Sequence, residues 1–261
     1  MSNVILFEQQ GSIGTLTFNR PEVFNAMNDE VILRLRDLTT ELRQSTSLRA
    51  LIVRGAGKAF IAGGDVGLFY QRLDTMAEGV KPLGDALHEG IINIRNLPFP
   101  IIAQIQGAVA GAGLSLMLAC DFAVAAEGAQ FNSAYSRIGL SPDGGSTYFL
   151  PRIVGLRKAA EIIMLADMLD AKQALEYGLI NRVVTPDQLE ATVNTLAERL
   201  ANGPTQAYAR AKRLLNQSFE TPIQPHLDDE IACFAECART QDFREGVTAF
   251  VQKRKPGFTG H

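Results

Sequence analysis

The chain contains no tryptophan and only three cysteines and three histidines among 261 residues. Cys120, Cys233 and Cys237 are odd in number and follow no framework spacing, which excludes a disulfide scaffold and fits a reducing compartment. Cys233 and Cys237 lie four apart and would share a helix face, but two thiols with no nearby His or third Cys do not make a zinc site. No metal is expected. Charge of one sign is also scarce: the formal net charge is −3 and the sequence pI about 5.7. That balance gives no electrostatic basis for binding nucleic acid or an anionic membrane. Long apolar runs are missing too. Ile101 to Cys120 is interrupted by Gln104, Gln106, Gly107, Gly111 and Gly113, and reads as buried strand, turn and buried helix, not as a membrane span. Met1 to Asn19 shows strand-like alternation with no basic n-region, so no signal peptide is expected. A cytoplasmic location is expected.

What is present is ordinary globular material, 46% hydrophobic and 20% charged, enough for a large core. Short β-type runs fall at Val4–Glu8, Gly14–Asn19, Ala50–Gly55, Ile101–Gln106 and Asp121–Ala125. Between them, Asn28–Ser45 carries Val31, Leu35, Leu38 and Leu42 at helical spacing behind an Asn28 N-cap. Leu156–Ala166 and Ala171–Tyr177 read as helices, the second stopped by Gly178. Strands alternating with helices imply an α/β architecture. After Pro186 the strand signal ends. Leu189–Asn202, Thr205–Phe219 and Leu227–Lys255 read as helical, punctuated by Gly203-Pro204 and by Pro222 and Pro225.

Three segments carry chemistry-bearing patterns. In Lys58–Val66, Gly63 and Gly64 let the backbone approach a ligand, and the following helix start offers free N–H groups that favour an anion or oxyanion. A tight turn capped by Asp65 is the plainer reading. In Gln106–Leu116, small residues again leave N–H groups accessible between a strand and a helix. Two such turns aiming two donors at one carbonyl oxygen would make an oxyanion hole; close helix packing is the competing explanation. In Ile138–Thr147, Asp143 stands between Pro142 and Gly144. A carboxylate there is a turn residue or a general base, and in isolation the turn role is the ordinary one.

In order, these segments resemble the crotonase (enoyl-CoA hydratase/isomerase) superfamily. Asn19-Arg20-Pro21 with Asn25-Ala26-Met27 is similar to its opening element, and Ala59–Asp65 to its A-F-x-A-G-x-D turn. Gly107–Gly113 matches G-x-x-x-G-x-G. Cys120-Asp121, Gly178–Val184 and Glu245–Phe258 follow where the family has its later motifs. The resemblance implies a spiral of ββα repeats with a C-terminal helical trimerisation module: a core over 1–195 holding an acyl-CoA site and an oligomerisation region over 196–261. Trimers or hexamers are expected. It implies an oxyanion hole from the N–H groups of Gly64 and Ala112. Substrate or CoA contacts are implied at Asn25, Ala26, Met27, Ala62, Gly63, Asp65, Gly111 and Tyr135, and at Phe250 and Lys253, the last region often supplied by a neighbouring subunit. Coenzyme A enters as part of the substrate, and no separate cofactor is expected. Val23 or Phe24 stands where the family usually has a basic residue.

The departures separate reactions. Hydratases of the family carry two glutamates that position and activate water; Ser115 and Tyr135 stand at those positions. Neither is an adequate acid or base for water addition at neutral pH. Asp143 falls where isomerases of the family often carry a single carboxylate, and its surroundings look like those of Δ3,Δ2-enoyl-CoA isomerases and the ring-epoxide isomerase of phenylacetyl-CoA breakdown. His88 lies where the acyl-CoA dehalogenases of the family have a histidine, but their tryptophan would map to Tyr135; a surface or packing role is the plainer one. The expected activity is Δ3-to-Δ2 isomerisation with Asp143 as base. The alternatives are a divergent hydratase that orients water with Ser115 or Tyr135, and a catalytically weak acyl-CoA-binding protein. Asp143 discriminates the last, since a binder gains nothing from a carboxylate facing C2 and C4.

Overall fold

A computed structural model describes residues 3–261; Met1 and Ser2, the first two residues of the strand-like opening, lie outside the described residues. The chain opens with the antiparallel pair β1 (Ile5–Gln10) and β2 (Ile13–Phe18), then α1 (Asp29–Leu42) and β3 (Ala50–Gly55). The Asn28 side chain accepts the Val31 N–H, as an N-cap should, and Val31, Leu35, Leu38 and Leu42 are buried. Helices α2 (Val66–Gln71) and α3 (Met76–Asn96) follow, then β4 (Ile101–Ile105), β5 (Ala108–Ala110) and α4 (Ala112–Ala119). Next come β6 (Phe122–Ala126), β7 (Gln130–Asn132), α5 (Ser146–Val154), α6 (Leu156–Leu165), β8 (Leu169–Asp170), α7 (Ala171–Glu176) and β9 (Arg182–Val184). The tail is helical: α8 (Leu189–Ala201), α9 (Thr205–Gln217), α10 (Ile223–Cys237) and α11 (Gln241–Val251).

The large sheet runs β1-β2-β3-β4-β6-β9, parallel from β2 onward, and the small sheet runs β5-β7-β8. Strand in the large sheet, short strand in the small sheet, then helix is a unit that recurs as β4-β5-α4 and β6-β7-α5. An earlier copy runs from β3 through the Ile61–Val109 bridge to α2. This is the repeating spiral expected. The central strands are buried on both faces, as parallel strands are. Alternation in β3 sends Leu51 and Val53 to the main core and Ala50 and Ile52 to a second cluster under α8 with Val193 and Ala197.

The expected boundary at 195/196 falls inside α8, which packs on β3, β4 and β6. Pro225 sits in the first turn of α10, where a missing N–H costs nothing, and does not punctuate. The stretch read as helical from Leu227 to Lys255 divides at Thr240, whose side chain accepts the Phe243 N–H and starts α11. Its end is non-helical, with Lys253 at φ 55°. Helix α9 is moored to the core: Lys212 Nζ lies 2.8 Å from Asp121 Oδ2 and also reaches the carbonyls of Ile94 and Phe99. Asn216 holds the Arg95 carbonyl at 3.1 Å. Among the described residues no helix is long and apolar enough to cross a membrane.

Candidate active site

Two strand-to-helix turns meet. After β3 the chain passes through buried Phe60 and Ile61 to Gly63 (φ 101°), Gly64 and the start of α2. After β5 it passes through Gly111 (φ 49°) into α4. The Ala110 N–H donates to the Ile61 carbonyl at 3.0 Å, which fastens one turn to the other. A Cβ at Gly63 would lie 3.2 Å from the Ala110 oxygen and 3.7 Å from Gly111 Cα, so both turns need glycine for conformation and for closeness. The Gly111 N–H is taken by the Asn132 carbonyl. Among the described residues, the N–H groups of Gly64 and Ala112 donate to nothing in the chain, and both residues line one cavity. Two free donors on abutting turns, one opening an eight-residue helix, are suited to a carbonyl oxygen that gains charge.

The front turn is held by Asn25 and Arg20. Asn25 is 1% exposed and sits at φ 60°, where asparagine is better tolerated than most residues. Its Nδ2 donates to the carbonyls of Ala56, Ala59 and Phe60 within 3.0 Å, and its Oδ1 accepts the Arg20 N–H at 2.9 Å. Both Arg20 Nη atoms lie 3.1 Å from Asp65 Oδ2, and Nη1 also donates to the Ala26 carbonyl. Asp65 Oδ1 caps α2 through the Leu68 N–H. The Asn25 and Asp65 side chains are engaged in holding the turn.

On the other side, a 3-10 turn (Tyr135–Ile138) begins after Ala134, which sits at φ 64°. The Tyr135 Oη donates to Asp143 Oδ1 at 2.5 Å. Burial, and then the adjacent carboxylate, push the Tyr135 phenol far above the usual tyrosine range, so it stays a donor. Ser115, fully buried on α4, donates from Oγ to the Asp143 carbonyl at 2.9 Å. The Gly144 N–H donates to His88 Nε2 at 3.3 Å. Asp143 is thus gripped at its carboxylate, its carbonyl and the next N–H. Gly144 passes so close to Ser115 that a Cβ on it would lie 2.8 Å from Ser115 Cβ.

These parts surround a cavity of about 910 Å³. Of the expected residues it is lined by Met27, Ala62, Gly63, Gly64, Gly111, Ala112, Tyr135 and Asp143. Asn25, Ala26, Asp65, Ser115 and His88 are not part of that lining, and His88 on α3 is exposed while its Nε2 meets the Gly144 N–H. Phe250 (85% exposed) and Lys253 lie on the C-terminal region, away from this lining. The sequence places a pocket-shaping lid over Val66–Glu89, and the outer wall comes from that stretch: Phe69 from α2, and Met76, Val80, Leu83 and Leu87 from α3. Their spacing of three and four along one helix was the available signal. The carboxylate of Asp29, also at the wall, is paired with Arg72 at 2.9 Å.

Abutting turns with two free N–H groups thus share an apolar cavity with a buttressed carboxylate, on a ββα spiral. The chain belongs to the enoyl-CoA hydratase/isomerase family, whose pattern it matches over residues 8–261. It is 35% identical to the 1,2-epoxyphenylacetyl-CoA isomerase of Escherichia coli K12, with all of both chains covered. It is 34% identical to the crotonyl-CoA hydratase of Syntrophomonas wolfei over 97% of each chain. The crystal structure of an enoyl-CoA hydratase from Polaromonas sp. JS666 superposes with a TM-score of 0.93 at 31% identity, covering 98% of this chain and 99% of that one. The near-equal identities to an isomerase and to a hydratase leave the choice of reaction to the site itself.

Proposed function

We propose that the protein moves the double bond of an enoyl-CoA thioester from Δ3 to Δ2, with Asp143 as the single carboxylate base. The observation that carries this reading is the state of Asp143. It lines the cavity, takes the Tyr135 phenol at 2.5 Å, and stands opposite serine and tyrosine where hydratases of the family use glutamates. The thioester oxygen would accept from the Gly64 and Ala112 N–H groups, each such donor contributing about 3 kcal/mol to the barrier reduction. Asp143 takes a proton from C2, and the C2–H electron pair delocalises through the C3=C4 bond as a dienolate held at its oxygen. The protonated Asp143 returns the same proton to C4, leaving C2=C3 and no net change in composition. Hydration would need a group to activate water, and the Ser115 hydroxyl is fully buried and bound to a carbonyl.

Assembly is part of the same proposal. Leu215, Phe219, Ile231, Phe234, Phe250 and Val251 on the C-terminal helices or the turn between them are each at least 69% exposed, an apolar surface that a trimer or hexamer would cover. Phe250 and Lys253 would then serve a neighbour's CoA.

The test is an isomerisation assay with a trans-3-enoyl-CoA beside crotonyl-CoA hydration. Isomerisation should be fast and hydration negligible. Asp143→Asn should lower isomerisation at least 100-fold and leave the affinity for a saturated acyl-CoA within a few-fold. Activity that survives the substitution refutes the base, fast hydration refutes the reaction, and binding without turnover of either substrate favours an acyl-CoA binder.

A further inference from the structure

The cavity is larger and more apolar than a four-carbon acyl group needs. Val66, Val80, Ile138 and Leu140 line it while remaining 44–52% exposed, so the cavity wall is apolar and accessible. Its charged lining is Asp29, Arg72, Glu78 and Asp143, and Arg72 is already paired with Asp29. With no unpaired cation among these groups and a net negative lining, the cavity does not suit phosphates. The nucleotide end of coenzyme A therefore lies outside it, and the volume serves the pantetheine arm and the acyl group. At about 30 Å³ for each water-sized group in a liquid, 910 Å³ holds roughly thirty non-hydrogen atoms. A pantetheine arm of about eighteen leaves about a dozen for the acyl group, where a crotonyl group has about five.

Helix α3 explains the width. Met76, Val80, Leu83, Gly84 and Leu87 share one face and line the cavity. A Cβ at Gly84 would meet nothing within 4 Å. Glycine in a helix interior is a poor choice for stability, and here it leaves the wall of the cavity thin.

We propose that the site selects an apolar acyl group of medium length, on the order of ten carbons, and that Gly84 determines this selection. The inference rests on the acyl-thioester reading above, but its test does not depend on turnover. Butyryl-CoA and decanoyl-CoA, both saturated and unreactive in isomerisation, would be titrated into the protein by calorimetry. Each methylene fully buried adds about four-fold in affinity, from about 0.8 kcal/mol per methylene; partial burial should still make decanoyl-CoA at least tenfold tighter. Gly84→Leu, which favours the helix, should cut decanoyl-CoA affinity tenfold or more and leave butyryl-CoA within twofold. Equal affinities for the two ligands would overturn the size selection with the thioester site intact. Loss of both ligands equally in the Gly84→Leu protein would overturn the role of Gly84. Failure of the unaltered protein to bind either would remove the acyl-CoA reading itself.

Discussion

Asn25→Ala isolates the consequence of finding an expected ligand contact at work inside the fold. The asparagine is 1% exposed and its side chain makes four hydrogen bonds, three to the carbonyls of Ala56, Ala59 and Phe60 and one from the Arg20 N–H. Gln106 also reaches the Ala59 carbonyl, so that group keeps a partner. Of the other three, the Phe60 carbonyl is left bare in a buried position and the Ala56 carbonyl and Arg20 N–H in part-buried ones. Buried groups left unsatisfied cost about 1–3 kcal/mol each. Alanine at the φ of 60° found here adds on the order of 1 kcal/mol. With partial relaxation the expected loss is about 3–5 kcal/mol, a large part of an ordinary domain's stability. Urea unfolding followed by circular dichroism gives the loss directly, and calorimetry with a saturated acyl-CoA gives affinity in the same variant. The turn carrying Gly63 and Gly64 should loosen, so affinity falls along with stability. If stability changes by less than about 1 kcal/mol while acyl-CoA affinity collapses, Asn25 is a direct ligand contact and the reasoning fails.

Tyr135→Phe keeps the ring and removes the donor to Asp143. The phenol orients the Asp143 carboxyl, and losing that orientation should lower kcat by about tenfold or more with KM little changed; an intact kcat would remove Tyr135 from the proposal. Because burial raises the Tyr135 pKa, the folded protein holds that proton as pH climbs past the ordinary tyrosine value near 10, and no alkaline limb of kcat below that pH should belong to it. Glu245, by contrast, is lowered to about 2 by its hydrogen bonds with Arg254 and then the Gly257 N–H. The tie it makes is complete above the ordinary carboxylate value and weakens as pH falls toward 2. Protease sensitivity of residues 255–261 should rise in that window, and Glu245→Gln should abolish the pH dependence.

The elements that could be read in advance were those with a long enough period or a strong end signal. Helix α1 announced itself through four core positions and Asn28, and β3 through a run buried on both faces. Strands β5, β7 and β8 have two or three residues and show no alternation, since a period of two needs more length to be seen. Helix α5 went unseen because Gly145 gives it no side-chain cap and Pro151 interrupts it. In the site, the glycine turns were legible because their residue types are constrained by conformation. The grip of Tyr135 on Asp143 was not. It depends on Ala134 taking a left-handed conformation, for which alanine gives no signal. The engagement of Asp65 by Arg20 links positions 45 apart, beyond any local pattern.

Lys212 and Asn216 fix the last turn of α3 to α9, while the first half of the same helix walls the cavity. The rear of α3 is therefore an anchored hinge post. Pro82 removes a helical hydrogen bond and Gly79 and Gly84 flank it, so compliance is concentrated in the front half. Any flexing of α3 would therefore fall on the half that walls the cavity, with the rear held by Lys212 and Asn216.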